Sequence, residues 1–300
     1  MTAGIPWPTL TGPAGALTVW PERGAKITSL TDARGFEWLA PCRPGREAEA
    51  SFVDAEMGGW DECAPTIDPV TLPDGRLLPD HGSLWHRPWL VVRQADTLVA
   101  EVSDPDLGFA LRRVITATPQ GFRFDYEATL LADTGLGGAQ ELPFLWAAHP
   151  QFVAPERVVV PGLTEVVETH PGRGVRHPWT GQPPPAARSG AQAWKAWAVD
   201  PEHLGHPGYL GRHDQDSQAS PQVTLQTADD RSLTLRWGGA ATGCALWFDP
   251  AEYADTPVVA IEPATASTDG ATGPGVPRLT GAAPLRWWVD LELAGGLVRD

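Results

Sequence analysis

Three hundred residues, 42% of them hydrophobic, are enough to bury a sizeable core, and one large β-sandwich can absorb them as a single domain spanning 1–300. The formal net charge of −15 argues against nucleic acid and anionic membranes as partners, since both need clustered Lys and Arg. The three cysteines, Cys42, Cys63 and Cys244, have no C-x-x-C spacing and are odd in number, which fits a reducing compartment better than a disulfide framework.

The opening Met-Thr-Ala-Gly-Ile-Pro-Trp-Pro has neither a basic nor an apolar leader region, and no run approaches the ~18 apolar residues of a membrane span. A cytoplasmic location is therefore the expectation. Tryptophan occurs fourteen times against three tyrosines, and its flat apolar face suits the C–H surface of a sugar ring as well as it suits a core.

In chain order, residues 16–39 alternate short apolar segments with Pro, Gly and Asp turns, the signature of strands and hairpins. Residues 41–50 read as a polar loop. Residues 58–89 contain Gly-Gly-Trp-Asp-Glu-Cys-Ala-Pro and then Pro-Asp-His-Gly-Ser-Leu-Trp-His-Arg-Pro-Trp. That Gly and Pro density argues against a helix or a long central strand, yet the stretch carries Asp61, Glu62, Asp80, His81, His86 and Arg87. It reads either as a functional loop or as a surface connection whose charges face water.

Residues 89–131 return to β patterning, and Phe-Arg-Phe-Asp-Tyr-Glu-Ala-Thr-Leu alternates almost without fault, so one of its faces is buried and one wet. Residues 142–153, Leu-Pro-Phe-Leu-Trp-Ala-Ala-His-Pro-Gln-Phe-Val, form an apolar run of strand length holding Trp146 and His149. An imidazole there can be fixed by aromatic packing and exchange a proton near neutral pH; alternatively it is a core histidine bonded to a carbonyl.

Residues 157–160 and 164–167 are short strands. Residues 168–192 and 200–221 read as long polar loops whose His170, His177, His203, His206 and His213 face solvent without a metal-binding spacing. Strands follow at 222–227, 232–237, 244–248, 258–262 and 285–293. The run Val-Val-Ala-Ile-Glu-Pro brings Glu262 to a predicted strand end, either partly buried with a raised pKa, held ionised by donors, or simply in water.

No helix of ordinary length and no solenoid repeat is visible, so stacked antiparallel sheets are expected: an all-β sandwich. No G-x-S-x-G elbow, Walker A, G-x-G-x-x-G in a strand-to-helix context, or H-E-x-x-H occurs.

Together, Pro79-Asp80-His81-Gly82 with Trp85 after it, Pro143-Phe144-Leu145-Trp146-Ala147-Ala148-His149-Pro150, and Ile261-Glu262-Pro263 resemble the aldose 1-epimerase family, the galactose mutarotases and their relatives. Their order spans most of the chain. The resemblance implies a large antiparallel β-sandwich, a monosaccharide substrate in an open cleft, and no metal or organic cofactor.

It also implies roles. His149 would be the acid at the ring oxygen and Glu262 the base at the C1 hydroxyl, on opposite sides of the anomeric centre, with His81 bonding the sugar beside them. Asp61, Trp85, Arg87, Trp146 and Phe248 are candidates for the pocket wall. Galactose mutarotases carry an Asn-Arg pair before the His-Gly loop; here the region reads Gly59-Trp60-Asp61-Glu62-Cys63, and Ala264-Thr265-Ala266-Ser267 replaces the more usual Thr-Thr-Gly. Those departures spare the acid and base and leave the sugar open. Other readings are a non-catalytic carbohydrate-binding or sensing protein, a hexose-6-phosphate 1-epimerase, or a carbohydrate lyase. Oligomeric state is not encoded in any motif.

Overall fold

The computed structural model describes residues 7–43, 45–46, 51–131, 141–183, 192–199 and 220–295, and every regular element among them is a strand. The strands are β1 (Thr9–Gly12), β2 (Gly15–Trp20), β3 (Lys26–Asp32), β4 (Trp60–Cys63), β5 (Val70–Thr71), β6 (Leu77–Leu78), β7 (Leu90–Gln94) and β8 (Thr97–Asp104). They continue with β9 (Phe109–Ala117), β10 (Gly121–Leu130), β11 (Glu141–Pro143), β12 (Ala147–Val153), β13 (Arg157–Val159), β14 (Glu165–His170) and β15 (Val175–Pro178). The last are β16 (Trp194–Val199), β17 (Gln222–Gln226), β18 (Ser232–Gly239), β19 (Gly243–Asp249), β20 (Val258–Ala264), β21 (Arg278–Thr280) and β22 (Leu285–Ala294).

Two antiparallel sheets dominate. One has the order β1-β2-β3-β4-β12-β20-β19-β16-β14-β15 and the other β13-β17-β18-β22-β10-β9-β8-β7. Period-two alternation decides which faces meet. In β10, Phe122, Phe124, Tyr126 and Ala128 are buried while Asp125 is exposed, and in β22 Trp287, Val289 and Leu291 point the same way inward. Trp60 of β4 stacks on Phe124 of β10 at 4.9 Å, which places the two sheets face to face.

Polar groups also span the core. Arg113 of β9 donates to Glu62 of β4 at 2.6 Å, and Tyr126 and the Trp146 indole donate to the same carboxylate at 3.0 and 2.7 Å. Both charges are fully buried, so they are tolerable only because they neutralise each other and the carboxylate is bonded from three sides.

The all-β sandwich expected from the sequence is present, with local corrections. The Gly- and Pro-rich stretch 58–89 does contribute a central strand, the four-residue β4 between β3 and β12. Its entry is made by Gly58 at φ 101°, where a Cβ would lie 2.3 Å from the Pro41 carbonyl oxygen. Of the charges in this stretch, Asp61 and Glu62 are buried, whereas Asp80 and His86 do face water. Glu262 lies inside β20, not at its end, because Pro263 and Ala264 continue the ladder opposite Cys244 and Gly243. Residues read as loop supply β15 and the last residues of β14, and β16 had no sequence signal of its own. His203, His206 and His213 lie outside the described residues.

Candidate active site

The middle of the ten-stranded sheet is buried on both faces: β4, β19 and β20 have almost no partly exposed position, and β12 has one, at its last residue. One face is the core; the other is roofed by loops. Pairing partners share a face, so the register fixes what the roofed side carries. Asp61 pairs with His149, Glu262 with Ala245, and Trp247 with Lys195 on one neighbour and Ala260 on the other.

Beneath the roof lies a cavity of about 140 Å³. Its polar lining is His81, His149, His170, Lys195 and Glu262; its apolar lining includes Phe52, Met57, Trp247 and Tyr253. Larger recesses of about 310 and 180 Å³ elsewhere contain no comparable acid and base.

His149 and Glu262 stand side by side on the sheet, with Nε2 3.6 Å from Oε1, although 113 positions separate them in the sequence. Both are buried, at 7% and 1% exposure. Glu262 Oε1 has no hydrogen-bond partner among the described residues, while Oε2 meets the Lys195 ammonium at 3.0 Å. Burial holds the His149 imidazole well below its ordinary pKa, with the positive charges of His81 and Lys195 adding to that effect. Burial pushes the Glu262 carboxyl above its ordinary value, and Lys195 partly opposes the rise. For Lys195, burial acts downward, but Asp269 and Glu262 outweigh it and its pKa is raised, so it stays a cation.

His81 reaches the cavity from a strained turn. Its φ is 55°, in the left-handed region, at a cost of ~1–3 kcal/mol. The turn is held by bonds from His81 N to Ile67 O at 2.7 Å and from Ser83 N to Ala64 O at 3.0 Å. Gly82 follows at φ 68°, and a Cβ there would meet the Ala64 oxygen at 1.8 Å, so only glycine fits. The imidazole is pinned by Asp80 at 2.9 Å through Nδ1 and stacks on Phe52 at 4.1 Å. The Asp80 contact leaves Nε2 without a hydrogen-bond partner among the described residues.

Phe52 also meets His149 edge-on at 5.3 Å, and Trp247 borders His149 from the other side at 5.3 Å. The segment carrying Phe52 and Met57 is clasped through Glu56, which accepts from Arg23 at 2.8 and 2.9 Å. Tyr253 sits in a loop whose amides donate to Asp249.

The cavity thus unites His81, His149 and Glu262, and the other sequence candidates lie elsewhere. Trp146 belongs to the core, fully buried, with its indole on Glu62 and its ring 5.0 Å from Trp287. Phe248 is one residue out of phase: it faces the opposite side of β19, beside Trp194, and the cavity takes Trp247 instead. Asp61 shares the face of His149 but is committed to Lys26 at 3.0 Å, and burial pushes its carboxyl up to about 6. Trp85 backs Phe52 edge-on, and Arg87 pairs with Asp104 at 3.0 Å, neither lining the cavity. His170, read as a solvent-facing loop residue, lines it, with Nε2 buried and unpartnered among the described residues. Among those residues no group of three or more His, Cys, Asp or Glu side chains is placed to hold a metal ion. The cysteines are free.

Neither a protein-family model nor a curated protein matches the chain in sequence. Solved structures do match in shape. A protein from Synechocystis sp. PCC 6803 aligns with a TM-score of 0.73 and 17% identity over 98% of this chain and 98% of its own. A galactose mutarotase related enzyme from Lactobacillus acidophilus gives 0.71 at 12% identity over 97% and 98%, and an aldose epimerase homologue from C. elegans gives 0.68 at 13% over 97% and 99%. The chain has the galactose mutarotase-like fold.

Proposed function

We propose that the protein is an aldose 1-epimerase, an isomerase that interconverts the α and β anomers of a monosaccharide. The observation that carries this reading is the His149 and Glu262 pair, buried, 3.6 Å apart and open to one cavity. Opening a hemiacetal ring removes a proton from the C1 hydroxyl and delivers one to the ring oxygen. Both oxygens are bonded to C1, one bond angle apart, so a base and an acid standing side by side can serve both. The expectation that the two groups flank the sugar from opposite sides is corrected accordingly: the sugar lies over the pair.

In this mechanism Glu262 accepts the C1 hydroxyl proton through its unbonded Oε1 and His149 donates through Nε2 to the ring oxygen. Rotation about C1–C2 exposes the other face of the aldehyde, and reclosure reverses both transfers. Each transfer contributes ~10²–10⁴-fold. The adjacent groups hold one proton between them, so the apparent pKa values belong to the pair. His81 and His170 offer ring nitrogens to sugar hydroxyls, while Phe52 and Trp247 offer apolar surface to ring C–H groups.

A phosphorylated sugar is not favoured: the one Lys or Arg lining the cavity among the described residues is Lys195, already facing two carboxylates. A free sugar handled in the cytoplasm is the proposed setting. The reading is tested by following the approach of freshly dissolved pure anomers to equilibrium by NMR or polarimetry across a panel of aldoses. Acceleration of at least one of them supports it. Binding without acceleration of any replaces it with a carbohydrate-sensing role.

A further inference from the structure

We propose that Lys195 and Asp269 form a charge clamp that sets the proton affinity and aim of Glu262, making Lys195 a positioning residue for the reaction; this rests on the epimerase reading above. Lys195 lies on β16, two strands away from Glu262, and its ammonium bridges Glu262 Oε2 and Asp269 Oδ1, each at 3.0 Å. The side chains are nearly closed to water, at 13%, 1% and 17% exposure. A carboxylate anchored through one oxygen has its rotation fixed, so Oε1 is left directed beside His149.

The clamp is itself tied to the turn that bears His81. The Asp269 carbonyl accepts from Ile67 N at 3.0 Å and Asp68 N at 2.6 Å, and the Ile67 carbonyl accepts from His81 N. Its other carboxylate oxygen is 3.5 Å from the Trp197 indole nitrogen. One aspartate thus fixes the cation that holds the base and the backbone that carries the neighbouring histidine.

The signs of the two partners' effects are opposite, which makes the clamp testable. The Lys195 cation lowers the proton affinity of Glu262 and of His149, whereas the Asp269 anion raises that of Glu262. Among the described residues, the other titratable groups near Glu262 and His149 are His81 on its turn, His170 and Tyr253 at the same cavity, Asp61 of β4 beside His149 and paired with Lys26, and the buried thiols of Cys63 and Cys244. Burial pushes both thiols up, so they stay neutral across the working range.

The experiment is the pH profile of kcat and KM for anomerisation by Lys195→Met, Lys195→Arg and Asp269→Asn, run beside wild type and Glu262→Gln. Lys195→Met should carry the whole profile to higher pH by at least about one unit, with kcat depressed near neutrality and recovered in alkali. Asp269→Asn should move it to lower pH, and Lys195→Arg should stay near wild type. If Lys195→Met does not fold, the Asp269→Asn displacement and the Lys195→Arg retention decide the matter. Profiles that keep their position, with rates cut equally at all pH, overturn the clamp. So does a rise in KM at unchanged kcat, which would make Lys195 a sugar ligand only. Should Glu262→Gln keep the full rate, it is the epimerase reading that fails, a separate outcome.

Discussion

Burial has moved the proton affinities of Glu262 and His149 in opposite directions, and their chemistry can be tested one atom at a time. Glu262→Gln keeps the shape and removes the proposed base; His149→Asn removes the proposed acid. Each should cut the catalysed anomerisation rate by at least ~10²-fold, with sugar affinity changed less, as separate kinetic and binding titrations will show. The pH profile should be bell-shaped about the singly protonated pair. Because burial lowers the imidazole's affinity, the second proton binds only below the ordinary histidine range, near ~6.5. Activity should therefore persist as pH falls through that value and fail further down; loss beginning above it would contradict the burial argument. The pair and His81 were legible because each interrupts an apolar or Pro-Gly context with a titratable group. Lys195, Glu56 and Asp269 were not, since what matters about them is a partner distant in sequence.

At the scale of elements, the strands were readable from period-two alternation, and the parity of individual side chains was not. Trp146 sits beside a strand whose next residues face the cavity, yet packs against the stacked rings of Tyr126 and Trp287. Phe248 and Trp247 exchange roles by a one-residue shift, which in a strand reverses the face. β4 hid in a stretch where glycine and proline mask pairing, and its Glu62 became a core anchor. The anchor makes its own prediction: Arg113→Met strands a buried carboxylate and should cost about 3–5 kcal/mol, read as a lower denaturant midpoint. The rate per folded molecule should stay near wild type, because neither Arg113 nor Glu62 lines the cavity.

Among the described residues the molecule is built on two large antiparallel sheets, the ten-stranded one carrying the candidate site on its roofed side, and the sequence indicated that class through many short strands and no visible helix. It did not indicate the roof: Phe52, Met57 and Tyr253 come from segments that only the fold brings over β12 and β19. Proton transfer alone accounts for the proposed reaction, so exhaustive chelation should leave the rate unchanged; loss of activity restored by one metal would reassign the mechanism. The most direct test of the central claim is NMR of a freshly dissolved pure anomer with wild type and Glu262→Gln in parallel. Wild type should speed the approach to anomeric equilibrium for at least one aldose and the variant should lose nearly all of that acceleration. Equal rates for the two proteins would contradict the account.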